Sequence, residues 1–220
     1  MSEARAFSAP GMALRTAAIL FLFVIIFTAL LSGAYQWTKP SIEASALEEK
    51  TKLLGDVLPV DAYDNDLIRD AVTLPPTPEL GLKEASTLYR ARKAGTPAAL
   101  VFEAVAPDGY AGRIRLLIAV RADGSLAGVR VTQHKETPGL GDYIEPKKDR
   151  NKEHPWIGQF VGRSLANTPD KGWRVRKDGG EIDYHASATV TPRAVAKAVH
   201  KAVRWADREN ARLFAMENAK

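Results

Sequence analysis

The stretch of sequence that decides the fold is residues 112–133, which read GRIRLLIAVRADGSLAGVRVTQ. Apolar side chains alternate through its two halves, 112–121 and 126–133, at the spacing of strands with one buried face. The dipeptide Asp123-Gly124 between the halves is typical of a tight β-turn, because glycine readily adopts the backbone conformation that such turns require. We therefore predict an antiparallel hairpin. Its alternating apolar residues are Ile114, Leu116, Ile118, Val120, Val129 and Val131.

The segments on either side extend this hairpin into a sheet of at least four strands. Residues 87–92 and 98–104 have strand character, and a turn over 94–97 separates them. Residues 72–78 contain three prolines, so we predict a connector there. Downstream we predict a helix over 155–165, short strands over 173–176 and 181–185, and a final helix from Pro192 to near Ala219 that docks on the sheet. The expected fold class is α+β, with the antiparallel sheet followed by a long C-terminal helix.

The N-terminal region contains an apolar segment long enough to cross a membrane. Residues 16–38 carry no charge, and as a helix they would span about 35 Å, which exceeds a hydrocarbon core of about 30 Å. A cleaved signal peptide is the competing interpretation. We expect Pro40 to end this helix and a second helix to begin at the capping-box sequence that starts at Ser45. The predicted organisation is a tail over 1–15, a single transmembrane helix over 16–38, a juxtamembrane helix and connector over 39–85, and a folded domain over 86–220.

Composition excludes several classes of function. The chain has no cysteine, which rules out disulfides, thiolate zinc sites and cysteine-ligated iron–sulfur clusters. The formal net charge is +5, but acidic and basic residues are interspersed, and no nucleic-acid-binding motif is present. We therefore expect no nucleic-acid partner, and the histidine spacings predict no metal site.

Residues 183–195, DYHASATVTPRAV, carry the clearest indication of chemistry. Thr191 followed by Pro192 is typical of an N-cap residue and the first position of a helix. Thr189 would then lie just outside a helix N-terminus, where free backbone N–H groups and the helix dipole favour an anion. Taken alone, Thr189 is interpreted as an ordinary turn hydroxyl, because threonine is common before a helix.

A second segment, residues 136–142, reads ETPGLGD. It contains Gly139 and Gly141, but a lone G-x-G is a weak signal without a dinucleotide-binding fingerprint around it. The segment is compatible with a simple turn. Alternatively, its glycines would let the backbone approach a flat cofactor, and Glu136 or Thr137 would bond the polar edge of that cofactor.

Together the two segments resemble a known family. Residues 186–191, ASATVT, are similar to the S-G-A-T-x-T motif of the FMN-binding domains in bacterial ion-translocating redox complexes, and residues 136–141 are similar to the E-T-P-G-L-G loop of the same domains. Ala186 and Ser187 depart from that pattern. Within this group the chain resembles the RnfG family, the G subunits of Rnf (Rsx) electron transport complexes. The alternative is the C subunit of the sodium-translocating NADH:quinone oxidoreductases, which shares the flavin motif.

The resemblance implies FMN linked covalently through its phosphate to Thr189, a phosphothreonyl linkage made by a separate flavin transferase. It also implies an electron carrier without substrate turnover of its own, sibling membrane subunits as partners, and an inner-membrane location with the folded domain on the periplasmic side. A membrane-tethered binding or assembly module without cofactor is the alternative of another class. The residues expected at the flavin site besides Thr189 are Ser187, Ala188, Thr191, Glu136, Thr137, Gly139, Leu140 and Gly141.

Overall fold

The computed structural model describes residues 9–186 and 188–216, and the chain divides into two units, 1–51 and 52–220. The first unit holds most of helix α1, which runs over Ala9–Val57. Among the described helices, α1 alone is long and apolar enough to be a candidate membrane span, by its length and composition. The sequence prediction of one N-terminal apolar helix is confirmed.

Helix α1 does not end where we expected. Pro40 lies inside it, and Ser45, the predicted cap of a second helix, lies inside it as well. A proline removes one backbone donor and disturbs the preceding turn. The residues after Pro40 include many strong helix formers, such as Ala, Leu, Glu and Lys, and these favour continuation of the helix. The Thr38 hydroxyl also donates to the Ala34 carbonyl oxygen at 2.9 Å within the turn before the proline.

The second unit is built on a five-stranded antiparallel sheet whose strands lie side by side in chain order. The strands are β1 Ala71–Leu74, β2 Ser86–Lys93, β3 Thr96–Gly109, β4 Gly112–Arg121 and β5 Leu126–Gln133. The predicted hairpin is confirmed as β4 and β5, with Gly124 at a φ of +81° in its turn. The predicted connector over 72–78 was wrong in its first half. Strand β1 pairs with β2 at the edge of the sheet, where a following proline is tolerated because no further strand needs its N–H.

Both faces of the sheet are buried. Phe102 on the central strand β3 packs on the C-terminal helix α2, Val190–Ala215, where its ring meets Trp205 edge to face at 5.0 Å between ring centres. Val101, its neighbour in β3, points to the opposite face, which is covered by Leu54 and Val57 from the end of α1. Each buried side chain of this size contributes about 1.5–3 kcal/mol. The sheet is therefore the central layer of the unit.

Helix α2 closes the fold. Its apolar stripe is buried against the sheet, as predicted, but the helix begins two residues earlier than Pro192. The predicted extension to Ala219 falls on residues 217–220, outside the described part of the chain. The buried stripe includes Val195, Val199, Ala202, Val203, Ala206, Leu213 and Phe214.

The segment between the sheet and α2 is less regular than predicted. The expected helix over 155–165 is a short 3₁₀ helix, Trp156–Phe160, whose apolar side chains Trp156, Ile157 and Phe160 are buried. The expected strands over 173–176 and 181–185 are reduced to a single bridge between Val175 and Ile182. The buried apolar side chains of this segment still belong to the main core, and they include Trp156, Ile157, Phe160, Trp173, Val175 and Ile182.

Candidate functional site

The two sequence segments meet at one cavity. Residues from the 136–141 segment and from the 188–191 segment line a cavity of ≈ 200 Å³ at the N-terminus of α2, and the predicted site residue Gly139 is not among the residues that line it. The third wall is the turn between β3 and β4, which contributes Tyr110. The segments are separated by about fifty residues in the chain, so the fold creates this site. The lining residues are Tyr110, Glu136, Thr137, Leu140, Gly141, Ala188, Thr189, Val190 and Thr191.

Thr189 occupies the N-cap position of α2 and is half-buried. Among the described residues its hydroxyl makes no capping hydrogen bond to the helix, although a threonine at this position usually does so. The first turn of α2 carries no acidic side chain. The exposed helix N-terminus next to this hydroxyl is therefore favourable for an anion.

Thr191 is not the N-cap residue that we predicted. It lies inside the first turn of α2, is 1% exposed, and donates its hydroxyl hydrogen to Oε2 of Glu136. Thr-Pro is a good local signal for a helix start, but a cap contributes only about 1 kcal/mol. Here the side chain of Thr191 is used in a buried contact with a residue from a distant loop instead, and the helix begins at Val190.

Glu136 is a buried carboxylate, 4% exposed, with a protein donor for each oxygen. The Ala111 backbone N–H donates to Oε1 at 3.0 Å, and Thr191 donates to Oε2. The Glu136 N–H in turn donates to Nδ1 of His134 at 2.9 Å. Because Nδ1 accepts this bond, the ring carries its proton on Nε2, which lies 2.6 Å from Oε1 of Glu145. Hydrogen bonds thus fix both the backbone and the side chain at the start of the loop.

The two glycines of the loop serve different structural needs. Gly139 has a φ of +74°, in the left-handed region, and its N–H donates to Oδ1 of Asp142 at 2.8 Å. Gly141 has an ordinary right-handed conformation, with φ −102° and ψ −11°. A Cβ atom at Gly141 would lie 2.8 Å from Oγ1 of Thr191. Leu140, between them, is 45% exposed at the cavity.

Tyr143 anchors the turn that precedes Thr189, and sequence reasoning missed it. Its phenol donates to the Ala188 carbonyl oxygen at 3.2 Å and accepts from the His185 N–H at 3.4 Å. Its ring stacks on the His185 ring at 3.9 Å between ring centres. Burial raises the pKa of Tyr143 to about 12, so the phenol keeps its proton near neutral pH. Ser187, a predicted site residue in this turn, lies outside the described residues.

Tyr110 and Val190 were also missed. Tyr110 is 71% exposed and Val190 is 42% exposed, and with Leu140 they give the cavity an apolar rim. No motif in the sequence marks Tyr110, because only the pairing of β3 with β4 brings its turn beside the loop.

A second, more polar groove of ≈ 520 Å³ lies on the other side of the turn and includes Trp156, Asp183 and His185. It does not include Thr189 or the 136–141 loop. Within residues 9–186 and 188–216, no group of three or more His, Asp or Glu side chains could hold a metal ion. The smaller cavity, which holds both sequence motifs, is therefore the candidate site.

Comparison with known families agrees with this assignment. Residues 109–204 match the family model of the FMN-binding domain, which covers all three walls of the cavity. Residues 11–57 match the model of the RnfG N-terminal region, which covers most of α1. The two matches follow the division of the chain into an N-terminal helix and a sheet domain.

Curated relatives match the chain over nearly its whole length, and each is named as the G subunit of an ion-translocating oxidoreductase complex. The relative from Pseudomonas aeruginosa (strain UCBPP-PA14) is 45% identical over 206 residues, covering 94% of each chain. The relative from Aliivibrio fischeri (strain ATCC 700601 / ES114) is 40% identical, covering 86% of this chain and 88% of its own. That of Shewanella baltica (strain OS223) is 38% identical, covering 90% and 91%.

Proposed function

This chain belongs to the RnfG family, the G subunits of ion-translocating oxidoreductase complexes, and from that premise we propose that it is a membrane-bound electron-transfer subunit whose FMN is linked covalently to Thr189. The single observation that supports Thr189 as the attachment site is the environment of its hydroxyl. Its hydroxyl sits at the N-cap of α2, makes no capping bond to the described helix residues, and opens into the cavity formed by both motifs.

The residues of the cavity fit FMN. The phosphate would lie at the N-terminus of α2, where the helix dipole and free N–H groups stabilise negative charge by about 0.3–1 kcal/mol. The exposed side chains of Tyr110, Leu140 and Val190 provide apolar surface for a flat ring system. When bound, FMN supplies the ability to accept and pass on electrons, which no side chain of this cysteine-free chain provides.

The attachment reaction balances with FAD as the donor. The Thr189 oxygen attacks the phosphorus on the riboflavin side of the FAD pyrophosphate. The new Thr–O–P bond forms, the bond from that phosphorus to the bridging oxygen breaks, and AMP leaves with the electron pair. The hydroxyl proton goes to a base. Glu136 lines the cavity but already accepts from Ala111 and Thr191, so we assign the base to a separate flavin transferase.

Membrane attachment follows from α1. The helix contains one candidate span, and we propose that it anchors the protein in the inner membrane with the sheet domain on the periplasmic side. The remaining membrane subunits of the complex would then be its partners, and flavin transfer would take place outside the cytoplasm.

The test is the mass of the protein. We would express the full chain with an exported flavin transferase and measure intact mass and the peptide spanning residues 185–193. We expect wild type to gain the mass of one FMN less one water on Thr189, and Thr189→Ala to gain nothing. Thr189→Ser is the matched control, since serine keeps a hydroxyl at the same position.

Two results would contradict the proposal. Wild-type protein that carries no flavin under these conditions would favour the cofactor-free module. A Thr189→Ala variant that keeps covalent flavin, with the label mapped to Thr191 or another residue, would show that the acceptor is assigned wrongly.

A further inference from the structure

Three segments that are distant in the chain meet at the carboxylate of Glu136. The β3–β4 turn contributes the Ala111 N–H to Oε1 at 3.0 Å, and the first turn of α2 contributes the Thr191 hydroxyl to Oε2. Glu136 itself belongs to the loop. The carboxylate and the Thr191 side chain are both almost fully buried, at 4% and 1% exposure. Because both oxygens accept hydrogen bonds from protein donors, the arrangement suits the ionised carboxylate.

Two glycines make room for this contact. A Cβ at Gly109 would lie 2.9 Å from Oε1 of Glu136, and a Cβ at Gly141 would lie 2.9 Å from Oε2 and 2.8 Å from Oγ1 of Thr191. These distances are shorter than real Cβ contacts. At Gly141 the carboxylate and the Thr191 hydroxyl fill the space that a side chain would take, whereas a Cβ at Gly109 would meet the Gly112 carbonyl oxygen first, at 2.3 Å. Gly141 is needed for this contact by its lack of a side chain and not by its backbone conformation.

We propose that Glu136 is the positioning residue of the flavin-acceptor turn, acting through Thr191. The inference rests on the proposed attachment at Thr189. Thr191 is two residues beyond Thr189 in the same helix start, so fixing the Thr191 side chain against the loop also fixes the backbone from which the acceptor hydroxyl projects. Tyr143 holds the other side of the turn at His185 and Ala188. Glu136 therefore does not act on the flavin directly in this role.

The positioning of Thr189 is expected to affect the rate of flavin transfer. Transfer of a phosphoryl group to a hydroxyl needs the oxygen in line with the bond that breaks, and a displacement of about 1 Å can lower the rate on the order of 100-fold. Loss of the Glu136–Thr191 contact leaves the hydroxyl of Thr189 present but badly placed. We therefore expect the turnover number of the transferase to fall, with little change in the KM for the protein substrate.

The experiment measures the initial rate of covalent flavin incorporation into full-length protein in detergent, with purified flavin transferase and FAD. Thr191→Val keeps the side-chain shape and removes the hydroxyl, and we expect kcat to fall about 10- to 100-fold at similar KM. Thr191→Ser restores the hydroxyl and is expected to recover most of that loss. Thr168→Val is the matched control, because Thr168 is 5% exposed and bonds Asn167 at 2.8 Å outside the cavity.

The outcomes separate this inference from the proposed function. If wild-type protein takes up no flavin, the proposed attachment fails and the inference fails with it. If wild type is modified and Thr191→Val has the same kcat, the positioning role alone is wrong. An equal fall in Thr168→Val would also overturn it, since any buried hydroxyl would then matter equally.

A second variant decides the matter if Thr191→Val does not fold, as judged by near-UV circular dichroism. Glu136→Gln has the same size but cannot present an acceptor oxygen to both Ala111 and Thr191 without turning an NH₂ group toward one of them. We expect its kcat to fall at least about threefold at similar KM. An unchanged kcat in folded Glu136→Gln would refute the positioning role.

Discussion

Replacing Gly141 by alanine tests whether the loop packs against Thr191 and Glu136. Alanine fits the backbone at this position, since φ is −102° and ψ is −11°. On conformational grounds alone the change would stabilise the protein by about 0.4–1 kcal/mol, because alanine restricts the unfolded chain. If Gly141 were an ordinary turn residue, a small gain in stability would therefore be expected.

The packing predicts a loss instead. The new Cβ would lie 2.8 Å from Oγ1 of Thr191 and 2.9 Å from Oε2 of Glu136, so the hydroxyl and the carboxylate must separate. A hydrogen bond to a charged group contributes about 1.5–3 kcal/mol. Subtracting the conformational gain leaves a net destabilisation of about 1–2 kcal/mol, which for a domain of this size lowers the melting temperature by about 2–8 °C.

The assay is thermal unfolding of the full chain in detergent, followed by near-UV circular dichroism, in a double-mutant cycle with Thr191→Ala. Once Oγ1 of Thr191 is absent, the added methyl group at 141 meets less resistance, so its cost is expected to shrink by about 1 kcal/mol or more. Gly139→Asn is the matched control for loop glycines. Gly139 needs a left-handed backbone, which asparagine tolerates, and among described atoms its Cβ position is open.

Two results would refute this reasoning. A Gly141→Ala variant as stable as wild type, or more stable, would show that the Glu136–Thr191 contact contributes nothing at this position. Additivity of the two changes within about 0.5 kcal/mol would show that the methyl group and the hydroxyl do not compete for the same space.

Further predictions concern other buried contacts and the membrane topology. Tyr143→Phe removes the phenol that bonds Ala188 and His185 in the turn before Thr189, and we expect a loss of about 1–2 kcal/mol in urea unfolding; an unchanged midpoint would contradict this. Asp70→Ala removes the carboxylate that pairs with Arg92 and with the 2% exposed Arg90, and the expected loss is about 3–5 kcal/mol; a loss below about 1 kcal/mol would count against it. Burial lowers the pKa of His200 below its ordinary value of 6.5, so the unfolded chain takes up this proton first as pH falls, and stability is lost below about pH 6.5. His200→Phe is expected to flatten that pH dependence, measured as urea midpoints, and an unaltered dependence would refute the assignment. A reporter fused after Lys220 is expected to be active only if it works outside the cytoplasm; activity of a cytoplasm-only reporter there would reverse the proposed orientation.

Much of the sheet domain could be predicted because its signals are local. The alternation of apolar residues in 112–133 and the Asp123-Gly124 turn specify a hairpin without help from the rest of the chain. The apolar run near the N-terminus and the stripe along α2 are equally direct, since the first is recognised by its length and the second by the helical spacing of its apolar residues. The prediction failed where a proline was treated as decisive. Pro40 does not end α1. Pro75 directly follows the edge strand β1, whose residues 71–74 still pair with β2.

The sequence alone also predicted the two segments that line the candidate site, but not how their residues are used. The motif placed Thr189 and Thr191 close together, and local capping preference assigned the cap to Thr191. In the tertiary structure the N-cap residue is Thr189, and its hydroxyl makes no capping bond to the described helix. Thr191 is instead buried against Glu136, which lies 55 residues earlier in the chain. Capping is worth about 1 kcal/mol, whereas leaving a buried carboxylate without its donor costs more, so the long-range contact prevails. Tyr110 and Tyr143 could not be found from sequence for the same reason, because strand pairing and burial, which no local pattern records, bring them to the site.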